Sequence, residues 1–132
     1  MKTIGTHAFE VTTPLPQDDA IARVTEALAA EGFGIVSEID LQATLRKKLG
    51  VETPAFRILG ACNPGFAHRA VTADPTVAVF LPCNVVVRDD GARRVVTAME
   101  PRIMGQVLDH PELRVLADEV SARLRAALAR LG

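Results

Sequence analysis

The most unusual feature of the sequence is a repeated dipeptide that carries both of its cysteines. Cys62-Asn63 and Cys83-Asn84 each stand next to a proline, in the segments ACNP and LPCN. Each dipeptide lies at the boundary of a predicted strand, and residues at the ends of such elements often form binding sites. Thiols there suit a small ligand, a metal ion or nucleophilic chemistry. Cys62, Asn63, Cys83 and Asn84 are therefore the first candidates for a ligand-binding site.

Cys62 has the better placed thiol of the two. It follows Phe56, Ile58 and Gly60 in period two, so its side chain is expected on the face that those residues bury. The Asn-Pro pair that follows Cys62 is typical of the cap and first turn of a helix. A helix N-terminus stabilises a thiolate, because it carries partial positive charge and donates hydrogen bonds.

Both cysteines also have a purely structural interpretation. A free cysteine is among the most buried residue types and behaves as a small hydrophobic side chain. This interpretation is stronger for Cys83 than for Cys62, because no predicted helix begins beside Cys83. Two cysteines in a chain with a core of its own do not suggest a disulfide scaffold, so reduced thiols are expected.

The sequence contains too few well-spaced ligands to identify a metal site. The soft or nitrogen ligands are Cys62, Cys83, His7, His68 and His110. Their spacing matches no standard metal-binding pattern, and no cofactor is indicated. His68 follows Cys62 on the next predicted helix, so we include it among the tentative ligand-binding residues. For a thiol enzyme, His68 and His7 are the candidate bases.

Composition excludes several classes of partner. Of the 132 residues, 48% are apolar and 23% are charged, as in ordinary globular proteins. Fifteen Lys and Arg against sixteen Asp and Glu leave a net charge of -1, so we expect no nucleic-acid partner. No apolar run approaches the length of a signal peptide or a membrane span, so we expect a cytoplasmic protein without membrane contact.

Residue periodicity predicts an α+β fold. Alternating or β-branched segments predict strands, and apolar spacing with capping residues predicts helices. The predicted strands are residues 6–11, 33–39, 55–61, 77–81, 84–88 and 94–99, and the predicted helices are residues 17–31, 41–49, 64–72 and 111–131. Asp90-Gly91 predicts a hairpin turn. We expect a single domain over residues 1–132, with one mixed, mostly antiparallel sheet and helices packed against it.

Four segments in combination resemble the domain-of-unknown-function 302 family. They are EGFG at 31–34, IDLQATL at 39–45, ILGACNP at 58–64 and LPCNVVV at 81–87. The resemblance implies a small α+β domain that forms a homodimer. It implies no established activity, substrate or cofactor, so no catalytic role is assigned to any residue.

Three functional hypotheses follow from these observations. The first is a module that binds a small molecule or a metal in a cleft near the two Cys-Asn turns. The second is a thiol enzyme or redox sensor that uses Cys62 as its nucleophile. The third is a dimerising structural domain in which the two turns serve packing alone.

Overall fold

The protein is built on one six-stranded antiparallel sheet. The computed structural model describes residues 1–131, in which the strands follow the order β1-β2-β6-β5-β4-β3. The strands are β1 (Lys2–Ile4), β2 (Ala8–Thr13), β3 (Gly34–Asp40), β4 (Phe56–Cys62), β5 (Cys83–Asp90) and β6 (Arg93–Met99). The helices are α1 (Gln17–Ala30), α2 (Leu41–Leu49), α3 (Pro64–Ala73), α4 (Arg102–Val107) and α5 (Pro111–Ala129), with a 3-10 helix at Pro75–Phe80. The predicted α+β class with one sheet is confirmed.

Helices α1 and α5 pack against one face of the sheet. Alternate strand residues point toward them, and Leu59, Val85 and Val96 are among those that are almost fully buried. Helical spacing places Leu28 and Leu124 against this face, where both are also buried. Burial of each such side chain stabilises the fold by about 1.5–3 kcal/mol before conformational entropy is counted.

The buried face of β4 differs from the prediction. Leu59 and Ala61 are the buried hydrophobic side chains of β4, whereas Phe56 and Ile58 are half-buried on the opposite face. Alternation alone does not say which of the two faces of a strand is covered. The covered face is determined by the helices, which pack on the side of Leu59 and Ala61.

The predicted strand at residues 77–81 is wrong. This segment belongs to the 3-10 helix at Pro75–Phe80, which begins where Asp74 Oδ1 accepts a hydrogen bond from Thr76 N at 2.9 Å. Val77 is buried, but Val79 is 84% exposed, so the β-branched residues do not share a buried strand face. The sequence analysis also missed β1 and α4, which are short.

Within residues 1–131, none of the helices has the length and apolar character needed to cross a membrane.

Candidate functional site

The two cysteines lie at the same end of the sheet, where β4 and β5 meet. Cys62 is the last residue of β4, and Cys83 is the first residue of β5. Ala61 is paired with Cys83 across the two antiparallel strands, so Cys62 is one residue away from the partner of Cys83. Directly opposite residues in such a ladder have Cα atoms about 4.5–5.5 Å apart. Strand pairing therefore brings the two cysteines close together, although they are 21 positions apart in the sequence.

Both cysteines are among the residues that line one small cavity. Its volume is about 40 Å³, and Asn63, Phe66 and Met104 also line it. The remaining wall consists of apolar side chains from α3, α5 and their neighbours. Among the side chains that form this wall, those of Cys62, Asn63 and Cys83 are the ones with an N–H or S–H group. Two cysteines and one asparagine are therefore the residues with polar hydrogen atoms in an otherwise apolar wall.

Asn63 connects β4 to α3 through a helix cap. Its Oδ1 accepts a hydrogen bond from Phe66 N at 3.4 Å, and Pro64 occupies the first turn of α3. Pro64 suits that position, because the first N–H groups of a helix have no intrahelical partner. The cap predicted from the Asn-Pro pair is confirmed, and it places the start of α3 directly after Cys62.

The amide of Asn63 is packed against the end of α1. Gly32 follows α1 with a positive φ of 87°, a conformation that glycine adopts without strain. A Cβ atom at Gly32 would lie 2.9 Å from Asn63 Nδ2, which is closer than real Cβ contacts. Glycine at this position therefore allows the α1 terminus to approach the capping residue and hold it in place.

A second glycine allows the segment before Cys83 to pack closely on β4. A Cβ atom at Gly60 would collide with Ser37 Oγ and would lie 2.7 Å from Pro82 Cγ. Pro82 therefore contacts the β4 backbone where a larger residue would push it away. This contact fixes the position of Cys83, which follows Pro82 directly.

The two thiols differ in their surroundings. Cys83 is 4% exposed, whereas Cys62 is half-buried. Burial raises the pKa of the Cys83 thiol to about 11, and the nearby Cys62 adds to this by repelling a second negative charge. Cys83 is therefore a neutral thiol at physiological pH, and Cys62 is the more accessible of the two.

The other predicted site residues lie elsewhere. Asn84 is exposed, and as the neighbour of Cys83 in β5 it points to the opposite face of the sheet. His68 is exposed on α3 and lines a separate open cleft with Arg69 and His110. The structure thus brings together Cys62, Asn63 and Cys83, but neither His68 nor Asn84 lines their cavity.

Met104 is a lining residue that the sequence analysis did not single out. It belongs to α4, is 6% exposed and is among the residues that line the cavity. A buried methionine in a sequence usually indicates ordinary core packing. Its position beside the two cysteines results from how α4 packs on the rest of the fold, so no local pattern indicates it.

A conventional metal centre is absent from the described part of the chain. Over residues 1–131, no group of three or more His, Cys, Asp or Glu side chains is arranged to hold a metal ion. A structural zinc site of four thiolate or imidazole ligands is therefore not supported here.

Comparison with known proteins places this fold in a family. Residues 9–131 match the family described as "Domain of unknown function DUF302". The chain belongs to the DUF302 family. It is also similar to a solved structure, an uncharacterized conserved DUF302 protein from Bacillus stearothermophilus, with 28% sequence identity and a TM-score of 0.88. That likeness covers 95% of this chain and 98% of the other. Among curated proteins, none matches this chain.

The DUF302 match includes every residue that lines the cavity. It extends from β2 to the residues after α5, and Cys62, Cys83 and Met104 all fall inside it. The predicted family resemblance is confirmed. The family description names no ligand, so the function of the cavity must be inferred from its chemistry.

Proposed function

We propose that this DUF302 domain binds a small thiophilic ligand in the cavity between β4, β5 and α3, with the sulfur atoms of Cys62 and Cys83 as its contacts. The observation that carries this proposal is that both cysteines of the chain line one cavity. They reach it from different strands, and 21 positions separate them in the sequence.

The size of the cavity limits the ligand to a few atoms. An apolar cavity of about 150 Å³ in another protein holds benzene, and a single water needs about 10–15 Å³. The cavity here measures about 40 Å³. A metal ion, a small oxyacid or another species of a few atoms fits this volume, whereas a nucleotide or a peptide does not.

The composition of the wall favours a ligand that bonds to sulfur. Most of the wall is apolar, and it offers a hard or strongly hydrated ion nothing to replace its water shell. Soft ligands, in contrast, form strong bonds to thiolates. Cys62 lies directly before Asn63, the residue that caps α3.

Arsenite is a suitable probe for this site, because one molecule joins two neighbouring thiols. As(OH)₃ and two thiols give a dithioarsenite, (RS)₂AsOH, and two molecules of water. We expect the reduced, full-length chain to bind one arsenite, detected by intact mass and by calorimetry. NMR shifts on binding should be confined to residues that line the cavity.

Variants separate this site from the rest of the surface. Cys62→Ser and Cys83→Ser should each abolish the one-to-one adduct, because either change leaves a single thiol. His68→Ala should bind arsenite as the unchanged chain does, because His68 lies in another cleft. Arsenite binding that survives either cysteine change, or no binding at all, would refute the proposal.

A second candidate is a redox sensor that uses Cys62, and the adjacent position of Cys83 favours it. In this case Cys62 and Cys83 would form a disulfide, with loss of two hydrogen atoms to an oxidant such as diamide. We expect this reaction to be slow, because Cys83 is buried and neutral. Rapid formation of an intramolecular disulfide under diamide, measured by mass under non-reducing conditions, would favour the sensor over the binding module.

We also propose that the domain forms a homodimer through the sheet face opposite α1 and α5. Strand register aligns Ile39, Ile58 and Val86 in one row across β3, β4 and β5 on that face. Ile39 is 48% exposed, so the row offers apolar surface to a partner. The same row continues through Thr97 and Glu10, whose side chains are joined by a hydrogen bond of 3.0 Å.

A second copy of the chain is the occupant whose size fits this face. Five strand spacings of about 4.8 Å and strands of about seven residues give a face of about 24 Å by about 23 Å. Its area approaches the roughly 600–1,000 Å² that each partner buries in a stable interface. Light scattering at micromolar concentration should therefore give the dimer mass, and Ile58→Lys should give a folded monomer. A monomer for the unchanged chain would refute this interface, and a dimer for Ile58→Lys would place it elsewhere.

A further inference from the structure

The cavity between β4, β5 and α3 has a buried interior and a half-buried side. Met104 and Leu116, which line the interior, are each 6% exposed. The half-buried lining residues fall within residues 62–67, at the start of α3, and at residues 81–82, just before β5. These two segments lie side by side, because the end of β4 is paired with the start of β5. The cavity therefore opens between the start of α3 and the segment before β5.

The interior of the cavity offers water few hydrogen-bond partners. Apart from Cys62, Asn63 and Cys83, the lining residues have side chains without nitrogen, oxygen or a thiol. The Oδ1 atom of Asn63 already accepts a hydrogen bond from Phe66 N at 3.4 Å. A buried water typically makes about three hydrogen bonds, whereas cavities lined by apolar side chains stay dry and accept apolar molecules. An apolar group is therefore a better occupant of the interior than water.

The volume of the cavity sets the length of such a group. A single water needs about 10–15 Å³ of this kind of volume, and the cavity measures about 40 Å³. The space therefore holds a chain of about three or four heavy atoms, by the same measure. A longer chain would extend through the opening into solvent.

We infer that the cavity binds a short alkyl chain that carries an uncharged polar group at its outer end. This inference concerns the cavity of the proposed function but depends on neither thiol. The opening is lined by Asn63, whose amide nitrogen carries two N–H donors. The described residues that line the cavity include no Lys, Arg, Asp or Glu, so nothing in the wall favours a charged end. A primary alcohol of three or four carbons represents this ligand class.

A series of primary alcohols tests the inference on the unchanged, full-length chain. Ethanol, 1-propanol, 1-butanol and 1-pentanol would be titrated and followed by NMR, and the shifts should be confined to residues that line the cavity. Each buried methylene should tighten binding by about fourfold, and the gain should stop at 1-pentanol because the cavity is then full. 1,3-Propanediol should bind about tenfold more weakly than 1-propanol, because its second hydroxyl would be buried without a partner.

Two alanines of α3 provide a matched pair of variants. Ala70 lines the cavity and is 6% exposed, whereas Ala73 lines a separate cleft beside α5. A methionine side chain fills irregular space in a core, so Ala70→Met should occupy the cavity and abolish alcohol binding. Ala73→Met should bind 1-butanol as the unchanged chain does. A folded Ala70→Met that still binds 1-butanol with the original affinity would overturn the inference.

Xenon gives a second measurement that needs no variant. Apolar cavities bind xenon, so a crystal of the unchanged chain under xenon pressure should show one xenon atom in the cavity. A cavity without xenon would overturn the inference, and so would an alcohol affinity that does not depend on chain length.

The outcomes also separate this inference from the proposed function. Cys62→Ser should lose the arsenite adduct but keep alcohol binding, because the alkyl chain needs no thiol. Arsenite binding without alcohol or xenon binding would overturn the alkyl site and leave the proposed function standing. Alcohol and xenon binding without arsenite binding would uphold the alkyl site and refute the proposed function.

Discussion

Gly60 in β4 and Pro82, the residue before Cys83, are in close contact: a Cβ atom on Gly60 would lie 2.7 Å from Pro82 Cγ and would collide with Ser37 Oγ. The absence of a side chain at Gly60 is therefore what lets the start of β5 approach β4. The position of the Cys83 thiol in the cavity depends on this contact, because Pro82 and Cys83 are adjacent.

Gly60→Ala should destabilise the protein by about 1–3 kcal/mol, the usual cost of overpacking a tight contact. Gly34→Ala is the matched control, because nothing lies within 4 Å of a Cβ atom at Gly34 in β3. It should change the free energy of unfolding by less than about 0.5 kcal/mol. Urea denaturation measures the free energy of unfolding of both variants. Similar decreases for the two would show that the contact with Pro82 does not make Gly60 more sensitive than Gly34.

Asn63→Ala should cost about 0.5–2 kcal/mol, because it removes the side-chain cap of α3. Asn84→Ala is the control, since Asn84 is an exposed amide in the neighbouring dipeptide. It should cost less than about 0.5 kcal/mol. Thermal or chemical unfolding distinguishes them, and an equal effect would indicate that the Asn63 cap contributes little to stability.

Cys83 should react with alkylating reagents only at high pH. Its pKa of about 11, above the ordinary value of 9.0, keeps the thiol neutral until the solution is strongly basic. In Cys62→Ser, labelling of Cys83 followed by mass spectrometry should rise toward pH 11 and shift slightly lower, because the charge of Cys62 is gone. Labelling that rises near the ordinary value would contradict the buried, neutral thiol.

The raised pKa of Cys83 predicts that the free energy of unfolding falls at high pH. The folded chain binds the Cys83 proton more tightly than the unfolded chain does, so this contribution is fully present below pH 9. It is lost as the pH rises from 9 through about 11. Cys83→Ala should remove this part of the pH dependence of unfolding, whereas Cys62→Ser should retain most of it. An unchanged slope in Cys83→Ala would show that another group controls this range.

A buried carboxylate ties the end of β6 to α5 and should be important for stability. Glu100 accepts hydrogen bonds from Ser121 Oγ at 2.7 Å and from Arg125 at 2.9 Å, and the Arg125 guanidinium lies 4.4 Å from the Phe9 ring centre. Glu100→Gln should cost about 1.5–3 kcal/mol, since hydrogen bonds to a charged group are lost. Glu52→Gln, at an exposed ion pair with Arg46, should cost less than about 1 kcal/mol. Comparable costs for the two would contradict a special role for Glu100.

Much of the fold follows from local patterns. The α1 and α5 helices have clear apolar periodicity, and Asp90-Gly91 lies at the turn of the β5–β6 hairpin, as predicted. The error at residues 77–81 arose because β-branched residues favour strands in general, while Asp74 and Pro75 start a 3-10 helix there. In that segment the capping interaction and the burial of Val77 override residue preference.

The candidate site was predictable only in part. The Asn63 cap indicated that Cys62 is close to a helix start, and alternation along β5 also means that Cys83 and Asn84 face opposite sides. The contribution of Met104 depends on how α4 packs after β6, which no local pattern encodes. The same limit applies to His68, whose helix was predicted but whose outward direction depends on the packing of α3 against α5.

A crystal structure of the reduced protein with arsenite, with anomalous scattering to locate arsenic, tests most directly whether Cys62 and Cys83 bind one ligand together. We expect one strong arsenic peak in the cavity, within bonding distance of both Cys62 Sγ and Cys83 Sγ. An arsenic peak bound to Cys62 alone on the outside of the fold, or a cavity without arsenic at saturating concentration, would contradict it.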